Sequence, residues 1–188
     1  MKIVFATGNK HKLEELNAIA SGSGIEFVLP PEGFNPVEDG DTFEENSYKK
    51  AKEANRVSGM ISLADDSGLC VDALNGAPGL YSARYAGTQQ EKIDKILKEL
   101  ENVTDRKAHF VCVMTLLNEK GEILHISRGE CHGEIAKHQS GTHGFGFDPV
   151  FLYNGVTLAD MGEVEKNKIS HRANALSDML LYIKKQLG

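Results

Sequence analysis

Two adjacent carboxylates, Asp65-Asp66, follow a short apolar run and lead into Ser67-Gly68. Acids at the carboxyl end of a strand sit where open α/β sheets gather their ligands. Like charges side by side are costly unless a cation lies near them, and a hard divalent metal would meet that need. The alternative is structural, with one Asp capping a turn and the other facing water. A second acidic stretch, Glu38-Asp39-Gly40-Asp41 with Glu44-Glu45 behind it, reads mostly as acids at a helix N-terminus. One of them could complete a metal site. Lys50 lies on the helix that follows, whose polar face also carries Lys49, Lys52 and Glu53.

Three further segments have the residue types for binding an anion or a planar base. Thr7-Gly8-Asn9-Lys10-His11-Lys12 stands at a strand-to-helix junction. Gly8 permits a tight turn, the helix start offers free amides to an anion, and the two lysines add charge. No Gly-Lys-Ser/Thr follows at the spacing of a Walker A loop. Gly141-Thr142-His143-Gly144-Phe145-Gly146-Phe147-Asp148-Pro149 places three glycines around two aromatics. Gly gives up buried area and chain order, so this pattern suits a loop that presents an aromatic face beside a carboxylate. One of the two rings can equally plug into the core. Lys166-Asn167-Lys168-Ile169-Ser170-His171-Arg172 gathers donors before the C-terminal helix, with Ser170 also a plausible N-cap.

The elements that must position these residues alternate. Ile3–Ala6 reads as a buried strand, and Leu13, Leu16 and Ile19-Ala20 recur at helical spacing. Ile25–Leu29 is a second strand, and Thr42–Val57 a helix opened by Thr42 and Glu45 in capping-box spacing. Ile61–Ala64 is a third strand ending at Asp65. A helix carries Ile93, Ile96, Leu97 and Leu100, and Ala108–Leu117 is apolar on both faces, as a central strand should be. Asn118–Gly121 turns into a long strand from Glu122 to Ile135, a strand follows near Pro149–Tyr153, and Leu176, Met179, Leu180, Ile183 and Leu187 stripe a C-terminal helix. Strands and helices alternate early and a hairpin appears in the middle, so the fold class is α/β with a mixed sheet.

Composition narrows the function classes. The chain has 188 residues, 40% hydrophobic and 26% charged, which suffices for a single domain with a proper core. Acids outnumber bases 27 to 21, for a net charge of -6, which argues against nucleic acid as a partner. No stretch is long and apolar enough to span a bilayer, and no signal peptide is visible. Cys70, Cys112 and Cys131 are far apart and unpaired in spacing, against zinc or disulfides. A cytoplasmic protein is expected.

Taken in order along the chain, these segments closely resemble the inosine/xanthosine triphosphate pyrophosphatase family. The most specific pieces are Ala64-Asp65-Asp66-Ser67-Gly68-Leu69, Gly76-Ala77-Pro78-Gly79 with Ser82-Ala83-Arg84-Tyr85, and Gly144-Phe145-Gly146-Phe147-Asp148-Pro149. The resemblance implies one catalytic domain over residues 1–188, an α/β fold with a long mixed sheet flanked by helices, two lobes enclosing a central cleft, and a homodimer. It implies Mg²⁺-dependent hydrolysis of non-standard purine nucleoside triphosphates to the monophosphate and pyrophosphate. Thr7, Gly8, Asn9, Lys10, His11 and Lys12 would then hold phosphates with Lys50, and Glu38 and Asp66 would hold the metal. Asp66 would accept the proton, Ser67 would touch substrate, and Phe145 would stack on the base within Phe145-Gly146-Phe147-Asp148. Asp148, Lys166, His171 and Arg172 would read its edge. His143 stands where many relatives have Gly, and Phe147 replaces a frequent Tyr or Trp. Phosphomonoesterase, nucleotide-sensor and modified-pyrimidine readings compete: the first would release orthophosphate, the second would bind triphosphate without hydrolysis, and the third would differ in substrate.

Overall fold

Strand alternation and helix periodicity build the observed elements in the expected order. The computed structural model describes residues 1–188. Its strands are β1 (Lys2–Phe5), β2 (Glu26–Val28), β3 (Ser62–Val71), β4 (Lys107–Leu117), β5 (Ile123–Ile135), β6 (Phe151–Tyr153) and β7 (Val156–Thr157). The helices are α1 (Lys10–Ile19), α2 (Phe43–Ser58), α3 (Gln89–Glu99), α4 (Glu163–Ile169) and α5 (His171–Gln186). All strands join one sheet in the order β2-β1-β3-β4-β5-β6-β7. β1 pairs in parallel with β2 and β3, while β6 is antiparallel to β5 and β7. The sheet is therefore mixed, as short αβ connections at one end and hairpins at the other require. No helix is long and apolar enough to cross a membrane.

The chain divides into two compact units. The first comprises residues 1–66, 112–129 and 171–188. Its core buries Ile3, Phe5, Leu16, Leu63, Met114, Leu176, Met179 and Ile183. A smaller cluster of Val4, Ala6, Ala51, Ala54, Ala64 and Leu117 packs under α2. Leu63 and Ala64 thus serve different clusters, because successive side chains of a strand point to opposite faces. The second unit comprises residues 67–111 and 130–170, with a core of Leu69, Val71, Ile93, Ile96, Leu100, Phe110, Ile135, Val150 and Phe151.

Several sequence expectations need correction. The strand after Met60 does not stop at Ala64 but runs through Asp65-Asp66-Ser67-Gly68 to Val71. Charges normally end a buried strand; here counter-ions compensate them, and Leu69 and Val71 beyond are fully buried. Thr42 Oγ1 does accept from the Glu45 amide, but the Glu45 carboxylate reaches Asp41 N at 2.8 Å instead of closing the box on Thr42. A complete capping box stands instead at Thr88 and Glu91, opening α3. The segment near Pro149 begins as a 3₁₀ turn before β6. Lys166–Arg172 does not simply precede the C-terminal helix, since Lys166 lies on α4, and His171 and Arg172 open α5.

Candidate active site

In the first unit the site grows from the ends of β1 and β3. The parallel register pairs Phe5 with Leu63, Ala6 N donates to Leu63 O at 2.7 Å, and Thr7 N then turns back to Phe5 O at 2.8 Å. Asn9 caps α1, its side-chain oxygen accepting from the amides of His11 at 3.0 Å and Lys12 at 3.4 Å. Thr7 Oγ1 accepts from Asn9 N at 3.0 Å, which orders the turn around Gly8. A Cβ built on Gly8 would meet nothing within 4 Å, so the surrounding protein leaves room for a side chain there. Lys10 and His11 are exposed.

Asp65 and Asp66 are neighbours in sequence but, as consecutive residues of one strand, project to opposite faces. On the α1/α5 face, Asp65 accepts from Lys12 Nζ at 2.9 and 3.1 Å and from Arg172 Nε and Nη2 at 3.3 and 3.2 Å. Arg172 Nη1 also donates to Glu15 Oε2 at 2.6 Å. This cluster is sealed, with Asp65 and Arg172 each only 1% exposed. Burial alone would push the Asp65 carboxyl up, but Lys12, Arg172 and Lys50 outweigh it and hold it well below the usual range. The neighbouring Cys112 thiol is pushed up to about 12 by burial and by Asp65, so it stays protonated.

On the α2 face the balance is reversed. Lys50 Nζ lies 3.2 Å from Asp66 Oδ1 and 3.2 Å from Glu38 Oε2. Burial raises the Asp66 carboxyl above its ordinary value, and Lys50 does not fully offset it. Lys50 is itself raised, since Asp65, Asp66 and Glu38 together overcome its burial. Asp66 Oδ2 is buried and has no hydrogen-bond partner. Such an oxygen is expensive to leave unpaired, so it marks a place for a ligand.

That orphan oxygen also tests the fit of a divalent cation. No group of three or more His, Cys, Asp or Glu converges anywhere in the chain. Glu38 and Asp66, held together through Lys50, supply two carboxylates. Mg²⁺ is commonly bound by one or two carboxylates with substrate phosphates and water filling the other positions, so this donor set fits it. The adjacent-acid pair does not share one cation as the sequence suggested, because strand geometry separates the two carboxylates.

In the second unit the glycine-rich loop carries its two rings differently. Phe147 is 5% exposed and packs in the core, its ring centroid 6.1 Å from that of Tyr85. Phe145 is half-buried, with Lys166 Nζ 4.8 Å from its ring centroid. Asp148 Oδ2 accepts from Phe145 N at 2.9 Å and from Lys166 Nζ at 2.7 Å, so one buried carboxylate orients both. Gly144 has φ +73°, and a Cβ there would lie 2.0 Å from Asp148 Oδ2. Only glycine fits that position, on conformation and on space alike. Gly146 follows the ring, His143 is exposed on the same loop, and Ser67 is half-buried on β3.

His171 is buried at the start of α5. Arg172, expected among the base-edge readers, directs its guanidinium to Asp65 and Glu15. Glu15 was not singled out in the sequence. Its only signal there is its position on α1 three residues after Lys12, on the same helical face.

Comparison with known proteins agrees with this architecture. The Ham1 family model matches residues 3–182. A dITP/XTP pyrophosphatase from Mannheimia succiniciproducens is 46% identical over 199 residues, covering 100% of this chain and 98% of that protein. One of the same name from Synechocystis sp. is 42% identical over 180 residues, covering 95% and 93%. Among solved structures, a HAM1 protein from Coxiella burnetii has a TM-score of 0.89 at 40% identity, covering 98% of this chain and 99% of its own. The Staphylococcus aureus Ham1 protein has a TM-score of 0.88 at 37% identity, covering 99% and 100%. With sequence and fold matching over nearly the full length, the chain belongs to the Ham1 family.

Proposed function

We propose that this protein hydrolyses non-standard purine nucleoside triphosphates (ITP, dITP, XTP) to the monophosphate and pyrophosphate, cleansing the nucleotide pool of the cytoplasm. The observation that carries the reading is the buried, unpartnered Asp66 Oδ2 beside Lys50 and Glu38. The names of the dITP/XTP pyrophosphatases it resembles support the substrate class. Residues 1–188 act as one catalytic domain and, as in the resemblance, as a homodimer.

The triphosphate is held by Thr7, Gly8, Asn9, Lys10, His11 and Lys12, assisted by Lys50. Glu38 and Asp66 hold Mg²⁺, which when bound lowers the pKa of a coordinated water and offsets phosphate charge. Asp66 orients a water and takes its proton at the unpartnered Oδ2. The water oxygen bonds to the α-phosphorus as the bond to the bridging oxygen breaks, and pyrophosphate departs with that electron pair. Lys50 and the α1 N-terminus stabilise the developing charge. Ser67 touches the substrate beside Asp66.

The base stacks on Phe145, which Phe147 supports from the core. Asp148, Lys166 and His171 read its edge. Arg172, with its donors on Asp65 and Glu15, contributes chiefly by fixing the helix start that presents His171. Inosine and xanthosine carry a carbonyl at the purine 6-position, which accepts from Lys166 and His171, whereas the amino group of adenosine would leave these donors unpaired. Sites built on hydrogen bonds can reject such a partner by up to about 10⁴-fold. Product analysis over ITP, dITP, XTP, GTP and ATP tests the proposal. Pyrophosphate release with a strong preference for the first three is expected; orthophosphate release, or equal kcat/KM for ATP, would overturn it.

A further inference from the structure

The glycine-rich loop presents a half-exposed ring from a backbone with little conformational restraint of its own. Gly141, Gly144 and Gly146 all have positive φ, with Gly146 at +63°. Loops of this composition keep a defined shape only when their amides are tied down. Ahead of Phe147, four amides of this loop have identifiable acceptors. Thr142 N and His143 N donate to Ala159 O at 3.2 and 3.0 Å, and Phe145 N donates to Asp148 Oδ2 at 2.9 Å. The fourth, Gly146 N, donates to Gln89 Oε1 at 3.2 Å, from the first residue of α3, 57 positions away in sequence.

Gln89 therefore reaches the loop backbone from α3, whose Ile93 and Ile96 share a buried cluster with Phe147. The adjacent Gln90 bonds outside the loop, to Gln139, which lies two residues before Gly141. Its Nε2 donates to Gln139 Oε1 and to Asp94 Oδ1, both at 2.8 Å. The α3 start is itself fixed, since Thr88 and Glu91 form a reciprocal capping box there. Phe145 N and Gly146 N flank the aromatic residue, and side chains from two different elements hold them. Fixing both adjacent amides restricts the rotations that aim the Phe145 ring.

We infer that Gln89, which opens α3, clamps the aromatic loop and is a positioning residue that sets the Phe145 ring for base stacking. This deepens the proposed function and rests on its assignment of Phe145 to the base. Gln89 touches neither base nor phosphate; it acts through the Gly146 amide. Because it is exposed, its bond has the modest net worth of an ordinary hydrogen bond, about 0.5–1.5 kcal/mol, so loss of the acceptor costs about 3- to 10-fold.

The test compares Gln89→Met, which keeps length but removes the acceptor, with Gln89→Glu, which keeps an oxygen there, and with Phe145→Ala. Three readings are taken: hydrogen exchange at the Gly146 amide, steady-state kinetics on dITP, and kinetics on deoxyribose 5′-triphosphate, which lacks a base. For Gln89→Met, Gly146 exchange and the KM for dITP should each rise about 3- to 10-fold. Its kcat and its KM for the base-free compound should stay at wild-type values, with Tm lowered by no more than about 6 °C. Gln89→Glu should restore both raised quantities to within about twofold of wild type. Unchanged Gly146 exchange, an unchanged KM for dITP, or an equal KM rise for the base-free compound would overturn the clamp. If Phe145→Ala raises the KM for dITP while Gln89→Met does not, the clamp alone fails. If Phe145→Ala leaves that KM untouched, the assignment of the base to Phe145 falls as well.

Discussion

Asp65 and Asp66 are consecutive residues of one strand, yet they occupy opposite electrostatic situations. Asp65 faces α1 and α5, where Lys12 and Arg172 saturate it and Glu15 anchors Arg172 behind. Asp66 faces α2, where a single lysine is shared with Glu38 and one carboxylate oxygen has no partner. Burial raises both carboxyls; only on the first face do cations more than reverse it. A strand that must carry chemistry on one side is thus held by an ion network on the other. A saturated carboxylate has no lone pair left for substrate, and an unsaturated one destabilises the fold unless a ligand arrives. The contrast assigns structure to Asp65 and reactivity to Asp66.

The largest effect should come from withholding the cation that the Asp66 face is built to share. Chelation of divalent metal should reduce pyrophosphate release by at least about 10³-fold, restored by added Mg²⁺, while the unfolding midpoint moves little. Undiminished turnover in chelator would remove the distinction between the two faces. Next in size is Asp65→Asn, which leaves Arg172 and Lys12 facing a neutral group. Breaking a buried ion pair in this way costs about 3 kcal/mol. For a chain of this length, that lowers Tm by about 6–12 °C. A smaller, sharper effect lies in its pH dependence. The folded Asp65 carboxyl is depressed, so its stabilisation is complete above the unfolded value of about 3.9 and is lost as pH falls toward the folded one. Urea unfolding of wild type and Asp65→Asn should therefore differ by a constant amount from pH 7 to about 4 and converge below it. A gap that widened on acidification would contradict the assignment.

Much of this arrangement was legible along the chain because it rests on local periodicity. The Ile3–Ala6 strand, the long apolar β4, the Asn118–Gly121 turn and the C-terminal stripe all stand where spacing placed them. The resemblance carried the site's residue list, but not its geometry. Two charges in succession read as a strand end, because nothing local reveals that Lys12, Lys50 and Arg172 will neutralise them from three separate helices. Once β3 is known to continue, the period of two alone separates the carboxylates. Glu15 escaped notice because its partner Arg172 lies 157 positions away. α4 escaped because it spans seven residues and Gly162 provides no side-chain cap. Of the two rings in the glycine-rich loop, only tertiary packing decides which one enters the core.

The most direct measurement is a paired one on Asp66→Asn: pyrophosphate release from dITP under saturating Mg²⁺, and the unfolding midpoint of the same preparation. Loss of its proton acceptor should lower turnover by about 10²- to 10⁴-fold, with Tm held or slightly raised, since an amide buries at less cost than a carboxylate that Lys50 only partly offsets. Wild-type turnover in this variant, or a fall in Tm as large as that of Asp65→Asn, would show that the two faces of β3 are not divided as described.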